Sequence, residues 1–111
     1  MATYIVLNRF TEQGIRNIGE TTKRADAVRE MAKKFGVTMK DIYWTLGEYD
    51  VVATFEAPDE ASITALTLAI GRDGNVRTEM LRAFTKDEMK GVVAKLAQAQ
   101  PHAKAKEKVP A

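Results

Sequence analysis

The alternation of hydrophobic and polar positions predicts four β-strands. Four segments are rich in β-branched and aromatic residues, which is typical of strands. They comprise residues 3–10, 39–46, 51–57 and 75–84. A short polar run at 47–50 joins the second strand to the third, so these two are predicted to form a hairpin. Residues 11–20 show no strong pattern and are predicted to be an irregular connection.

Apolar residues at intervals of three and four predict three helices. The first helix follows the threonine pair at 21–22, which can cap it, and the second runs from Pro58 to about Ile70. The third begins after Thr85, because Thr85 and Glu88 have the spacing of a capping box.

The order of these elements predicts an α+β domain with a ferredoxin-like fold. A βαββαβ chain forms a four-stranded antiparallel sheet with two helices on one face, and its first and fourth strands are neighbours. The third helix is then an extra C-terminal element. One domain over residues 1–97 is predicted, and the Ala-, Lys- and Pro-rich segment 98–111 has the composition of a disordered tail.

The strands carry apolar side chains on both faces, whereas two helices cover only one. The first strand presents Ile5 and Leu7 on one side and Tyr4 and Val6 on the other. A sheet face that meets water is normally polar, so the second face requires a cover. A second copy of the chain would provide it, which predicts a homodimer or higher oligomer. The alternative is that the third helix folds back over this face.

The charge distribution argues against nucleic-acid and membrane partners. The formal net charge is +2, but the last 13 residues hold three lysines and one glutamate, so the rest of the chain is neutral. Nucleic-acid binding requires concentrated basic side chains. No apolar run approaches the roughly 20 residues of a membrane span. The lack of cysteine and of a basic N-terminal segment predicts a cytoplasmic protein.

Missing residue types exclude several chemistries within one chain. There is no cysteine, and the single histidine, His102, lies in the tail. A Ser–His or Cys–His nucleophile pair is therefore excluded, and haem or zinc would lack its commonest ligands. Gly14 and Gly19 do not form a phosphate-binding fingerprint. We therefore predict no metal site and no cofactor.

The tip of the predicted hairpin holds the candidates for catalysis, Glu48, Tyr49 and Asp50. They follow Trp44, and a carboxylate beside an aromatic surface can have a raised pKa and act as a general base. Tyr49 would then be the proton donor. The alternative is turn chemistry, in which Gly47 permits an unusual backbone angle and Asp50 bonds its neighbours. The sequence allows both interpretations.

Four residues are candidates for ligand binding: Asn8, Trp44, Arg77 and Arg82. Asn8 interrupts an apolar row, so it either lines a cavity or bonds across the sheet. On the last strand Arg77 and Glu79 share one face, and Arg82 points to the other. Arg82 is suited to binding an anion. The alternative is that this strand lies at the sheet edge, where charges prevent aberrant pairing.

Three blocks of sequence resemble the GYD-domain family. They are residues 10–14 (FTEQG), 43–50 (YWTLGEYD), and 75–78 (NVRT) together with 81–84 (LRAF). The resemblance covers about residues 3–90. In the second block Glu48 separates Gly47 from the Tyr-Asp pair, which departs from the motif that gives the family its name.

The resemblance implies a dimeric α+β barrel, in which two ferredoxin-like sheets pack face to face. Such barrels include cofactor-free monooxygenases, isomerases, haem-processing enzymes and ligand-sensing domains, and the fold does not choose among them. The sequence therefore favours an oligomeric module that binds a small molecule or serves in sensing or assembly. The alternative is a cofactor-free monooxygenase or isomerase that uses Asp50 or Glu48 as its base.

Overall fold

The computed structural model describes residues 1–99 and confirms the predicted α+β fold. Four antiparallel strands form one sheet in the order β2-β3-β1-β4, so the first and fourth strands are neighbours. The strands are β1 (Ala2–Phe10), β2 (Thr38–Trp44), β3 (Val51–Ala57) and β4 (Val76–Ala83). Most of the predicted tail lies outside the described residues.

Four α-helices and one 3-10 turn complete the described part of the chain. They are α1 (Glu12–Arg16), the 3-10 turn Ile18–Glu20, α2 (Thr21–Lys34), α3 (Glu60–Arg72) and α4 (Lys86–Ala99). The irregular connection predicted over 11–20 is therefore wrong. Thr11 caps α1 by accepting a hydrogen bond from the backbone N–H of Gly14, and a five-residue helix is too short to show an apolar period. None of these helices is long and apolar enough to cross a bilayer.

The predicted cap of α2 by a threonine is also wrong. The helix begins at Thr21 itself, and Glu20, at the N-cap position, makes no side-chain cap bond. The Thr21 hydroxyl instead accepts a hydrogen bond from the indole N–H of Trp44 at 3.0 Å. The threonine therefore ties the start of α2 to the end of β2.

The capping box at the start of α4 is confirmed. The Glu88 backbone N–H donates to the Thr85 hydroxyl at 3.1 Å, and the Thr85 N–H donates to the Glu88 carboxylate at 2.8 Å. This reciprocal pair satisfies two backbone donors that a helix start would otherwise leave free.

The hydrophobic core lies between one face of the sheet and helices α2 and α3. Alternate residues of β1 and β3 point into it, so Val6 is 1% exposed and Phe55 2%. Ile63 and Leu66 of α3 and Ala32 of α2 are fully buried against them. Complete burial of one such large side chain contributes roughly 1.5–3 kcal/mol. We call this side of the sheet the covered face.

The other side of the sheet, which we call the open face, carries an apolar patch. The register places Ile5 opposite Leu81 and Leu7 opposite Val52, and Tyr43 lies beside Val52 on the next strand. Helix α4 does not fold back over this patch, since none of its residues is buried. Its own apolar stripe also remains exposed and consists of Met89, Val92, Val93 and Leu96.

Candidate functional site

A cavity of about 130 Å³ lies between the covered face of the sheet and helix α2. Most of its lining is apolar. The sheet contributes Asn8, Phe10, Met39, Ile42, Trp44, Val51 and Ala53. Helix α2 contributes Thr21, Arg24, Ala25, Ala27, Val28 and Met31, and the remainder comes from Ile70, Asp73, Asn75 and Val76. An apolar cavity of about 150 Å³ accepts a molecule the size of benzene, so this space suits a small organic ligand.

An irregularity in β2 directs two of the lining side chains into the cavity. The register shifts between Met39 and Asp41, so that Lys40 is an extra residue in the ladder. Without this bulge strict alternation would place Ile42 and Trp44 on the opposite face from Met39. With it, all three line the cavity.

Asn8 satisfies both of the alternatives predicted for it. It is 9% exposed, it lines the cavity, and its side-chain oxygen accepts a hydrogen bond from the Thr78 hydroxyl at 2.8 Å. The bond joins β1 to β4 across the sheet. Within residues 1–99 the Asn8 carboxamide nitrogen donates to no protein acceptor, so this donor is available to a bound molecule.

Trp44 also lines the cavity, and its role in ligand binding stays a prediction. The indole N–H is already bonded to Thr21, which fixes the ring between α2 and the end of β2. The side chain remains 42% exposed, so one part of the ring meets the cavity and another meets solvent. Because it is the sole tryptophan of the chain, its fluorescence reports on the cavity directly.

Arg24 was not predicted as a site residue from the sequence, although it lines the cavity. One guanidinium nitrogen, Nη1, donates to the backbone oxygen of Asn17 at 3.0 Å. The other, Nη2, is buried and has no hydrogen-bond partner within the described part of the chain. The available signal was spacing, because Arg24 lies three residues after Thr21 and four before Val28, on the inward-facing stripe of α2.

Glu48 and Tyr49 lie outside the cavity. The guanidinium of Arg9 forms a salt bridge with Glu48 and stacks 4.5 Å from the centre of the Tyr49 ring. The Tyr49 hydroxyl donates to the Glu79 carboxylate at 2.6 Å. These four residues form a connected group on the open-face side of the hairpin and β4, which we call the Arg9 cluster. The bond to Glu79, followed by burial and the negative charge of Glu79, raises the pKa of Tyr49.

Asp50 ties the end of the hairpin turn to the neighbouring strand β1. Its carboxylate accepts a hydrogen bond from the Phe10 backbone N–H at 2.9 Å, and its own N–H donates to the Asn8 carbonyl at 2.8 Å. Gly47 has a backbone φ of 109°, the left-handed region that favours glycine. The Gly47 angle agrees with the turn interpretation, whereas the Asp50 carboxylate bonds β1 and not its sequence neighbours. The catalytic role of Asp50 stays a prediction.

Arg77 and Arg82 lie outside the cavity as well. Arg77 is on the open face, opposite Arg9 in the register. Arg82 lies on the side of Tyr4, stacks 4.5 Å from the Phe84 ring centre and is 3.6 Å from the Glu88 carboxylate. The strand β4 that holds both arginines is an edge strand of this sheet, as one alternative predicted.

Residues from separate sequence blocks meet at one end of the cavity. The Thr11 N–H donates to the Asn75 carbonyl at 3.0 Å, and the Thr11 hydroxyl donates to the Gly74 carbonyl at 2.6 Å. The Gln13 amide donates to the Asn75 side chain at 3.1 Å. Gly14 is buried so closely against this turn that a Cβ would lie 2.1 Å from the Asn75 oxygen. We call this set the Thr11–Asn75 junction. Asn75 of this junction lines the cavity together with Phe10.

Comparison with known proteins gives a family and nothing narrower. No curated protein matches the sequence. A family model described as GYD domain matches residues 4–93, a range that contains the cavity, the Thr11–Asn75 junction and the Arg9 cluster. Because this match spans most of the chain, the protein belongs to the GYD domain family.

Proposed function

We propose that this protein is a homo-oligomeric module that binds a small, largely apolar molecule in the cavity beside Trp44, in a sensing or assembly role. The observation that carries the proposal is the cavity itself, which is apolar with a few polar groups at defined positions. Ligand sites typically combine an apolar lining with a small number of polar groups that orient the ligand.

Cavity binding is tested with a neutral probe, benzyl alcohol, titrated while Trp44 fluorescence is recorded. We expect a saturable change in the wild type. Ala25→Leu places extra methyl groups into the cavity, so it should weaken binding at least tenfold. Ala61→Leu is the matched control, since Ala61 is exposed on α3 and does not line the cavity. No response in the wild type, or equal binding by Ala25→Leu and the control, would overturn this part of the proposal.

The oligomer is supported by the apolar patch on the open face. Tyr43 is 62% exposed and Leu81 44%, and both adjoin half-buried aliphatic side chains. Contiguous apolar surface of this kind marks interaction sites in soluble proteins. A twofold-related copy would place the same patch on both partners, which is the commonest arrangement in homo-oligomers.

Sedimentation velocity tests the oligomer. The wild type should sediment above the monomer mass of 12.3 kDa, and Leu7→Lys should shift it to that mass by placing a charge in the patch. Thr64→Lys adds the same charge to the exposed side of α3 and should leave the oligomer intact. A dilute wild type that sediments as a monomer contradicts the proposal.

We do not favour a monooxygenase or isomerase that uses Glu48 or Asp50 as its base. Glu48 is paired with Arg9, and the Asp50 carboxylate accepts the Phe10 N–H. Neither side chain lines the cavity, where a small substrate would bind. A catalytic base has to lie within hydrogen-bond reach of the proton that it removes.

A further inference from the structure

We infer that the cavity binds a small monocarboxylic acid with an apolar body, and that Arg24 is the residue that binds its carboxylate. This inference rests on the proposed cavity binding and adds the chemical class of the ligand. The observations behind it are that Arg24 lines the cavity and that its guanidinium nitrogen Nη2 is buried without a hydrogen-bond partner within the described residues.

The hydrogen bonding of Arg24 differs from that of an arginine whose role is only structural. A guanidinium keeps its charge at any physiological pH, and a buried donor without a partner is destabilising. Arg24 is held in place by the Asn17 carbonyl through Nη1, which leaves Nη2 without an acceptor within residues 1–99. Asp73 also lines the cavity, but it is exposed and no oxygen of its carboxylate lies within 4.0 Å of the guanidinium. A carboxylate bound in the cavity beside Arg24 would supply the missing acceptor.

A second donor lines the same cavity from the sheet. The Asn8 side-chain oxygen is occupied by Thr78, so its amide nitrogen is the group that remains for a ligand. Two donors and a largely apolar wall match a molecule with one acidic group and a hydrocarbon body. Charged hydrogen bonds of a guanidinium to a carboxylate are stronger than those to a neutral oxygen, so the anion is favoured over an alcohol or ketone.

The size of the cavity limits the body of the acid. A volume of about 130 Å³ is close to that of a cavity that accepts benzene. A single six-membered ring or a short branched chain fits, whereas a long fatty acid or a nucleotide does not. Benzoate is therefore a suitable probe, and benzyl alcohol is a neutral molecule of similar size and shape.

The experiment compares both probes by Trp44 fluorescence in the wild type and in Arg24→Met, which keeps an apolar stem but removes the charge. We expect the wild type to bind benzoate at least tenfold more tightly than Arg24→Met does. Benzyl alcohol should bind to both with affinities within threefold. Arg29→Met is the matched control, because Arg29 is an exposed residue of the same helix that does not line the cavity, and it should behave as the wild type.

Thermal unfolding separates a binding role from a structural one. Without ligand, Arg24→Met should melt close to the wild-type temperature, because it loses the bond to the Asn17 carbonyl but no longer buries an unpartnered donor. Benzoate should raise the melting temperature of the wild type and not that of the variant. A lower melting temperature for the ligand-free variant, with no change in benzoate affinity, would assign Arg24 to the fold and overturn the inference. If Arg24→Met does not fold, Arg24→Gln removes the same charge and should show the same loss.

The possible failures are distinguishable. If both proteins bind benzoate equally, or if benzyl alcohol binds the wild type more tightly than benzoate, the acidic ligand is excluded and cavity binding stands. If neither probe changes the fluorescence of the wild type, both the inference and the proposed cavity binding are wrong.

Discussion

The two faces of the sheet are built from the same strands but differ in what their side chains do. On the covered face Val6 and Phe55 are almost fully buried against helices, so their hydrophobic surface stabilises the folded chain. On the open face Leu81 is 44% exposed and Tyr43 62%, so much of their apolar surface contributes nothing to a single chain. The comparison teaches that the covered face maintains the fold, while the open face is available for association.

Charged groups show a similar contrast. In the Arg9 cluster each member has a partner in the chain, namely Glu48 for Arg9 and Glu79 for Tyr49. In the cavity, one nitrogen of Arg24 has none within the described residues. The charges of the Arg9 cluster are thus paired within the chain, whereas the unpaired donor of Arg24 is the basis of the inferred carboxylate site.

The largest expected effect tests whether the covered side alone maintains the fold. Leu66 is fully buried and Leu68, two residues later in α3, is 68% exposed. Leu66→Ala should lower the free energy of unfolding by about 2–5 kcal/mol, because it removes buried methyl groups and leaves a cavity. Leu68→Ala should change it by less than about 0.5 kcal/mol, as is usual for a surface position.

Urea unfolding followed by circular dichroism measures both leucine variants. Equal losses from the two would mean that the outer side of α3 is also buried, for example against another copy. The outer side of α3 would then have to be counted among the covered surfaces.

The second prediction concerns the Thr11–Asn75 junction at the end of the cavity. Gly14→Ala should destabilise the protein by about 1–3 kcal/mol, because its Cβ would meet the Asn75 carbonyl oxygen at 2.1 Å and the backbone would have to move. Gly71→Ala is the control, since nothing lies within 4 Å of its Cβ position and alanine is the better helix former.

Thermal melts of the two glycine variants provide the measurement. We expect Gly14→Ala to melt well below the wild type and Gly71→Ala to melt at or slightly above it. A Gly14→Ala variant as stable as the wild type would mean that the backbone at the junction can move without loss of stability.

The strands and both sheet faces could be predicted from the sequence because alternation is a local property, and the strand order followed from the βαββαβ order of the elements. The apolar residues around Ile5 and Leu7 already indicated a two-sided sheet. The capping box at Thr85 was equally local, and it was confirmed. Helix α1 was missed because it depends on Thr11, whose further bonds to the distant turn at Gly74 hold this segment in place.

The candidate site was harder to predict because it depends on contacts between distant segments. Asn8 and Trp44, which the sequence offered as ligand-binding candidates, both line the cavity, and their role in binding stays a prediction. Arg24 was missed because an arginine on a helix is usually solvated, and only the packing of α2 against the sheet shows that its Nη2 is buried. Arg77 and Arg82 were expected at a site, yet they lie outside this cavity.

The smallest expected effect concerns the Arg9 cluster on the open face and is a dependence on pH. The pKa of Tyr49 is raised above its ordinary value of 10.0, chiefly because its hydroxyl donates to Glu79. Folding therefore favours the protonated phenol. The hydrogen bond from Tyr49 to Glu79 contributes its full stabilisation below about pH 10. This stabilisation is lost as the pH rises through the higher pKa that Tyr49 has in the folded state. Because the cluster is exposed to solvent, the effect should be small.

Melting temperatures between about pH 8 and pH 11.5 test this, with Tyr49→Phe as the variant and Tyr43→Phe as the control. Tyr43 is exposed on the same face, and its hydroxyl donates no hydrogen bond within residues 1–99. The wild type and Tyr43→Phe should lose stability above pH 10 more steeply than Tyr49→Phe, which should already be slightly less stable at pH 8. Parallel curves for all three proteins would show that the bond to Glu79 does not stabilise the fold. The charges of the open face would then matter only for association.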